Sequence, residues 1–210
     1  MKYFGKKEAF ALSYEFKKSP LESSKEEDFD WGVFQMWLEN ESICSFKRHN
    51  KTRDYEWNLN FIFEWLYKNR ENIFNELQFP LPVEGITGLE LYNNSVNFYS
   101  DNDDEFYIWY EKRQEWFFRH SWFSNNGGSF LANVLFRRVN DNIEITWDNT
   151  DLFDEVMFLN QSGLSYVPLN YFKDVVNGFI DDYKLSLIET DRGKKFIQDL
   201  ESEIPTGTQH

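Results

Sequence analysis

Hydrophobic and polar positions change period several times along the chain, and each change marks an element. Phe10, Leu12, Tyr14 and Phe16 alternate with Ala11, Ser13 and Glu15, the period-2 pattern of a half-buried strand. The polar stretch 17–30, with Pro20 and several acids, predicts a solvated loop. Residues 31–38 are apolar at nearly every position, as in a strand covered on much of both faces. A turn at Glu39-Asn40-Glu41-Ser42 then predicts a hairpin into residues 43–46. From Trp57 the period becomes helical. Trp57, Phe61, Ile62, Trp65, Leu66, Ile73, Phe74 and Leu77 fall on one side, and Pro80 and Pro82 end the helix.

Beyond the prolines, Gly85, Gly88 and Asn93-Asn94 punctuate short apolar pieces, so residues 83–100 are expected as strand or loop. Residues 106–109 predict a strand, followed by a polar turn and the aromatic Trp116-Phe117-Phe118 segment. Asn125-Asn126-Gly127-Gly128 reads as a turn, because glycine and asparagine tolerate positive φ at little cost. Residues 134–139 and 143–147 flank Asn140-Asp141-Asn142 as a hairpin, with Val139 opposite Ile143 and Arg138 opposite Glu144 in a three-residue-loop register. A further hairpin is expected between residues 155–159 and 165–167, across Asn160-Gln161-Ser162-Gly163. Asn170 is expected to cap a helix whose apolar side is Phe172, Val175, Val176, Phe179, Ile180 and Tyr183. A short helix after Thr190 uses Phe196, Ile197 and Leu200, and residues 201–210 are expected as a disordered tail. Strands, helix, strands, helix is the plan of an α+β fold, with mainly antiparallel sheets against a few amphipathic helices. It is expected as one domain over residues 1–200, or as two small lobes, 1–82 and 83–200.

Composition rules out a disordered chain. The net charge is −14 across 210 residues, but 22 Phe, 11 Tyr and 8 Trp supply enough apolar surface to build a core. That negative field opposes phosphate backbones, and the densest basic stretch, Lys47, Arg48, Lys51 and Arg53, is followed at once by Asp54 and Glu56. Direct nucleic-acid binding is therefore disfavoured, and a basic protein partner is expected. A lone cysteine, Cys44, fits a reducing compartment. The longest apolar run, residues 106–110, is far too short to cross a bilayer. The start of the chain lacks the apolar segment of a secretory signal. The expected location is cytoplasmic, with no membrane contact and no cofactor.

Candidate chemistry is sparse. Asp101, Asp103, Asp104 and Glu105 concentrate four negative charges, but Phe106 replaces the glycine and Lys112 the bidentate glutamate of a calcium loop. They are assigned instead as a partner contact within a solvated loop. Arg119-His120-Ser121 offers a base beside a guanidinium, yet Trp116, Phe117, Phe118, Trp122 and Phe123 surround it. A polar niche at the edge of an aromatic core accounts for it, and Arg119 and His120 stand as further partner-binding candidates. Glu144 and Thr146 on one strand face, with Asp148, Asp151, Asp154 and Glu155 nearby, raise a metal-dependent nuclease. The lysine such a site uses is missing, since Asp148 holds the next same-face position. Cys44 reads as a buried thiol and the glycine pair as a turn rather than a phosphate cradle.

Two blocks carry a resemblance. One is Tyr55-Glu56-Trp57-Asn58-Leu59 running through Glu64-Trp65-Leu66 to Phe79-Pro80. The other is Trp116, Arg119-His120-Ser121-Trp122, Gly127-Gly128, Asn133, Phe136-Arg137-Arg138 and Ile143-Glu144-Ile145-Thr146-Trp147. Together they resemble uncharacterised bacterial proteins found alone or fused to ImmA/IrrE-type zinc peptidases, often beside phage-defence or toxin-immunity genes. The peptidase's His-Glu-x-x-His motif is absent, since the histidines are His49, His120 and His210. The resemblance implies a setting, and with the charge it leads to a non-catalytic, protein-binding component of a defence, toxin-immunity or anti-defence system. Such a protein masks or senses a basic macromolecule. Two alternatives stand beside it: an acidic mimic of DNA that inhibits a nuclease or other DNA-binding protein, and the metal-dependent nuclease.

Overall fold

A computed structural model describes residues 1–20 and 30–203. The fold is α+β. Strands β1 (Lys2–Lys6), β2 (Phe10–Phe16) and β3 (Trp31–Leu38) form an antiparallel run. Both β4 (Glu41–Ser42) and β7 (Tyr55–Asn58) pair with β3, at opposite ends of that strand. Strands β5 (Phe46–Arg48) and β6 (Lys51–Arg53) make a short basic hairpin, extended on its other side by β10 (Met157–Phe158). A third antiparallel sheet has the order β11-β9-β8, from β8 (Val134–Val139), β9 (Asn142–Asp148) and β11 (Ser162–Pro168).

Helices α1 (Asn60–Asn75) and α4 (Leu169–Leu187) carry the apolar sides that the 3.6-residue period requires. Helix α4 packs on β1, β2, β9, β11 and α1, so it joins the first sheet to the third. Its rings do much of that work: Phe172 stacks on Phe10 at 4.9 Å and meets Phe136 of β8 at 5.7 Å, and Tyr183 stacks on Phe63 of α1 at 4.6 Å. One cluster of buried side chains therefore runs from Phe10 to Leu200, the latter on α5 (Asp191–Glu203).

Several expectations need correction. Residues 106–109 are not a strand but lie in α3 (Asp103–His120), and residues 88–95 form α2 (Gly88–Ser95). Thr87 starts α2 with a reciprocal capping box to Glu90, which satisfies two otherwise orphaned backbone donors. Trp57 belongs to β7 rather than α1. The expected hairpin across Asn160 does not form, because β10 pairs with β5 and β11 with β9. Pro168, not Asn170, precedes the first residue of α4. The β8–β9 turn has two residues, Asn140 and Asp141, with Val139 opposite Asn142. That register puts Arg137, not Arg138, opposite Glu144. The final helix reaches Glu203, past the expected start of the tail, and residues 21–29 of the expected loop and 204–210 of the tail lie outside the described residues.

Candidate functional site

The acidic run is not a free loop but the entry to α3. Asn102 caps the helix, its side-chain oxygen accepting from the backbone N–H of Asp104 at 3.0 Å and of Glu105 at 3.4 Å. Asp103, Asp104 and Glu105 occupy the first turn and Arg119 and His120 the last, the charge order that complements the helix macrodipole. Tyr99 donates to Asp101 at 2.6 Å and Ser100 to Glu105 at 2.9 Å. The side chains of Asp103 and Asp104 make no hydrogen bond or ion pair among the described residues.

Rings exposed to solvent sit among these carboxylates. Tyr99 is 78% exposed, Tyr107 66% and Ile108 53%, and Phe106 and Tyr110 are also exposed. Trp109 ties this half of the helix down: its indole N–H donates to the Ser95 carbonyl at 2.8 Å and its ring stacks on Phe98 at 4.0 Å. Further along, Phe117 stacks on Tyr92 of α2 at 4.7 Å, and Trp116 is buried. The first half of α3 thus projects exposed apolar side chains, with carboxylates at its first turn, from a clamped base.

Arg119 and His120 stand at the other end of the same helix and do not join the acidic run. His120 is fully buried, stacked on Trp116 at 4.5 Å. Its Nδ1 lies 2.7 Å from the Phe136 carbonyl and its Nε2 3.1 Å from Glu76. Arg119 grips the same carboxylate through Nε at 3.3 Å and Nη2 at 3.1 Å. Burial alone would raise the Glu76 carboxyl, but the His120 and Arg119 hydrogen bonds and charges overcome it and hold the group below the usual range. Glu76 is the residue that ends α1, so this cluster ties the ends of α1 and α3 to β8. Arg119 and His120 are thereby both held by internal partners, His120 without solvent exposure. Glu76 lies 44 residues from His120, and no local pattern in the sequence links the two.

Glu144 has a similar role. It is fully buried and accepts from Arg137 at 2.7 Å, from the Tyr166 hydroxyl at 3.3 Å and from the Gly88 backbone N–H at 2.6 Å. A side chain at Gly88 would meet Leu135 at 2.7 Å, so glycine lets the start of α2 descend onto the carboxylate. Arg138 instead donates to the Phe74 carbonyl at 3.0 Å, in the last turn of α1. Asp151, Asp154 and Glu155 line a separate 430 Å³ cleft that does not include Glu144. Among the described residues no group of three or more His, Cys, Asp or Glu could hold a metal ion. Cys44 is buried, and desolvation pushes its thiol up to about 12, which removes the thiolate needed of a nucleophile. Gly127 and Gly128 turn at φ +60° and +81°. No helix among the described residues is long and apolar enough to cross a membrane.

No protein-family model matches the chain, and no curated protein is similar to it. Among solved structures, a crystal structure of CdiI from Burkholderia dolosa AUO158 is similar at TM-score 0.45 and 10% identity, over 86% of this chain and 99% of that one. A likeness at that level leaves function to be read from this chain's own residues.

Proposed function

We propose that the protein is a non-catalytic, protein-binding component of a bacterial defence or toxin-immunity system, masking a basic protein through the projecting half of α3. The carrying observation is that surface itself. Exposed Tyr99, Phe106, Tyr107, Ile108 and Tyr110 lie among Asp101, Asp103, Asp104 and Glu105. Aromatic anchors inside a charged rim are the composition of an interface core and its periphery, and a rim of one sign selects a partner of the other. Interleaved rings favour this reading over a DNA mimic, whose carboxylates must stand in for a continuous phosphate array. The Arg119–His120–Glu76 and Arg137–Glu144 clusters are consumed by internal hydrogen bonds, which supports a protein without catalysis. The defence setting rests on the resemblance of the two sequence blocks, and a cytoplasmic location accords with it.

The test is association kinetics with the partner captured from the native host. Replacing Asp101, Asp103 and Asp104 by Asn and Glu105 by Gln is expected to slow association and flatten its salt dependence, since rim charges act chiefly on encounter. Tyr107→Ala with Tyr110→Ala is expected to speed dissociation by roughly 30-fold, the equivalent of about 2 kcal/mol for aromatic anchors. Unchanged rates and salt slopes in both variants, or robust hydrolase or transferase turnover by the purified protein, would sink the proposal.

A further inference from the structure

The β5–β6 hairpin reverses the sign of the molecule. In a chain of net charge −14, it walls a cleft of about 770 Å³ to which Lys17, Arg48, His49, Lys51 and Arg53 all contribute. The volume is that of a small-ligand pocket. Two carboxylates also line it, and both are engaged. Glu56 takes Lys17 at 3.2 Å and the Trp31 indole N–H at 3.2 Å, while Asp54 accepts from Ser45 at 2.8 Å on one oxygen. Arg48 pairs with Glu155 and lies over the Phe130 ring at 5.1 Å, yet its buried Nε–H has no acceptor among the described residues. The side chains of Lys51 and Arg53 make no hydrogen bond or ion pair among the described residues. Among the described residues, Lys51 and Arg53 are therefore not paired off within the walls, although the Glu56 carboxylate feels the charge of Arg53.

We propose that this cleft binds a nucleoside phosphate. Each part of such a ligand has a counterpart. The exposed cations Lys51 and Arg53, neither of which is held by a hydrogen bond or ion pair among the described residues, suit a phosphate ester, because a guanidinium presents several donors to a tetrahedral anion. Trp57 is a half-buried ring in the wall, backed by Trp31 at 5.2 Å, so it offers a base a surface to stack on. The second oxygen of Asp54 remains as an acceptor for a ribose hydroxyl. The hairpin presenting the cations is held in shape at its turn, where His49 and Asn50 take φ +48° and +60°. The site is independent of the α3 surface and stands or falls apart from it.

Titration of the purified protein with ATP, followed by indole fluorescence and calorimetry, tests the assignment. Saturable binding below about 1 mM is expected, with adenosine failing to bind and inorganic tripolyphosphate binding more weakly than ATP. The double variant Lys51→Glu, Arg53→Glu is expected to lose affinity by about tenfold or more. Both substituted residues are exposed on β6, and an unchanged melting temperature verifies that the variant folds. No saturable binding of ATP, equal affinity in the folded double variant, or tripolyphosphate binding as tightly as ATP would each overturn the proposal. Binding of a single-stranded oligonucleotide without binding of ATP would overturn it too, assigning the cleft to a polynucleotide instead.

Discussion

Removing the carboxylate of Glu144 is expected to be among the most damaging single changes in this chain. In Glu144→Ala three donors lose their acceptor together: Arg137 Nη2, the Gly88 backbone N–H and the Tyr166 hydroxyl. The Arg137 side chain is only 13% exposed and Glu144 not at all, so the guanidinium left behind is a poorly hydrated charge. Among the described residues its other acceptor is the Ile86 carbonyl at 2.7 Å. Breaking a buried pair from one side costs about 3–5 kcal/mol. For a chain of this length that corresponds to a fall in Tm of roughly 6–20 °C. Replacing both partners, Arg137→Met with Glu144→Leu, removes the stranded charge and leaves chiefly the Gly88 N–H unsatisfied, a loss of about 1–3 kcal/mol. The double variant is therefore expected to be more stable than Glu144→Ala. Urea denaturation of the wild type, Arg137→Met, Glu144→Leu and the double variant closes the cycle, with Glu144→Ala measured beside it. A loss below about 1 kcal/mol for Glu144→Ala, or strictly additive single changes, would refute the buried register of Arg137 opposite Glu144.

Three further expectations follow from the same geometry. Glu76 has a folded-state pKa held below its unfolded value, so its stabilisation is fully present above the unfolded value of about 4.3 and is lost as pH falls through the folded one. Thermal melts of wild type and Glu76→Gln should accordingly differ at neutral pH and converge in acid, and a gap that widens in acid would contradict this. Cys44, with its thiol pushed up to about 12 by burial, should resist iodoacetamide at pH 8 until denaturant is added; rapid labelling of the native protein would show it exposed. Asn102→Ala should cost about 1 kcal/mol and speed amide exchange at Asp104 and Glu105, whereas unaltered exchange there would mean the cap is not made.

Some elements were open to sequence reasoning because burial on one side imprints a period. Helices α1 and α4 show it, since each has one side in the core and one in solvent. Helix α3 lacks it where it projects: residues 103–108 are exposed on every side, so the five apolar residues that follow Glu105 resemble a buried strand. The available signal was instead the terminal chemistry, Asn102 before Asp103-Asp104-Glu105 and Arg119-His120 eighteen residues on. The β8–β9 hairpin was visible, but one residue of loop length decides which arginine meets Glu144, and Asn140 at φ +54° closes a two-residue turn. The partners that fix His120 and Glu144, namely Glu76 and the Gly88 N–H, come from distant segments and leave no local trace. Aromatic abundance correctly implied a core, and for that reason concealed that several rings at α3 are outside it.

Under the proposed function, one acidic run at α3 serves the helix and a partner at once. Were the carboxylates themselves capping the backbone, a partner would have to compete with the helix for them. Asn102 instead takes the N–H groups of Asp104 and Glu105 on its side chain, and its carbonyl accepts from Phe106 at 3.1 Å. The acids act on the helix through the field of its dipole at the first turn and, at Asp101 and Glu105, by accepting from Tyr99 and Ser100, interactions that face solvent and stay compatible with an approaching cation. Meanwhile the stacks of Trp109 on Phe98 and Phe117 on Tyr92 hold the helix before any partner arrives, so ordering entropy is spent in folding rather than in binding. A mobile loop with the same four charges would steer encounter equally well, but it would not hold Tyr107 and Tyr110 in register to retain the partner afterwards.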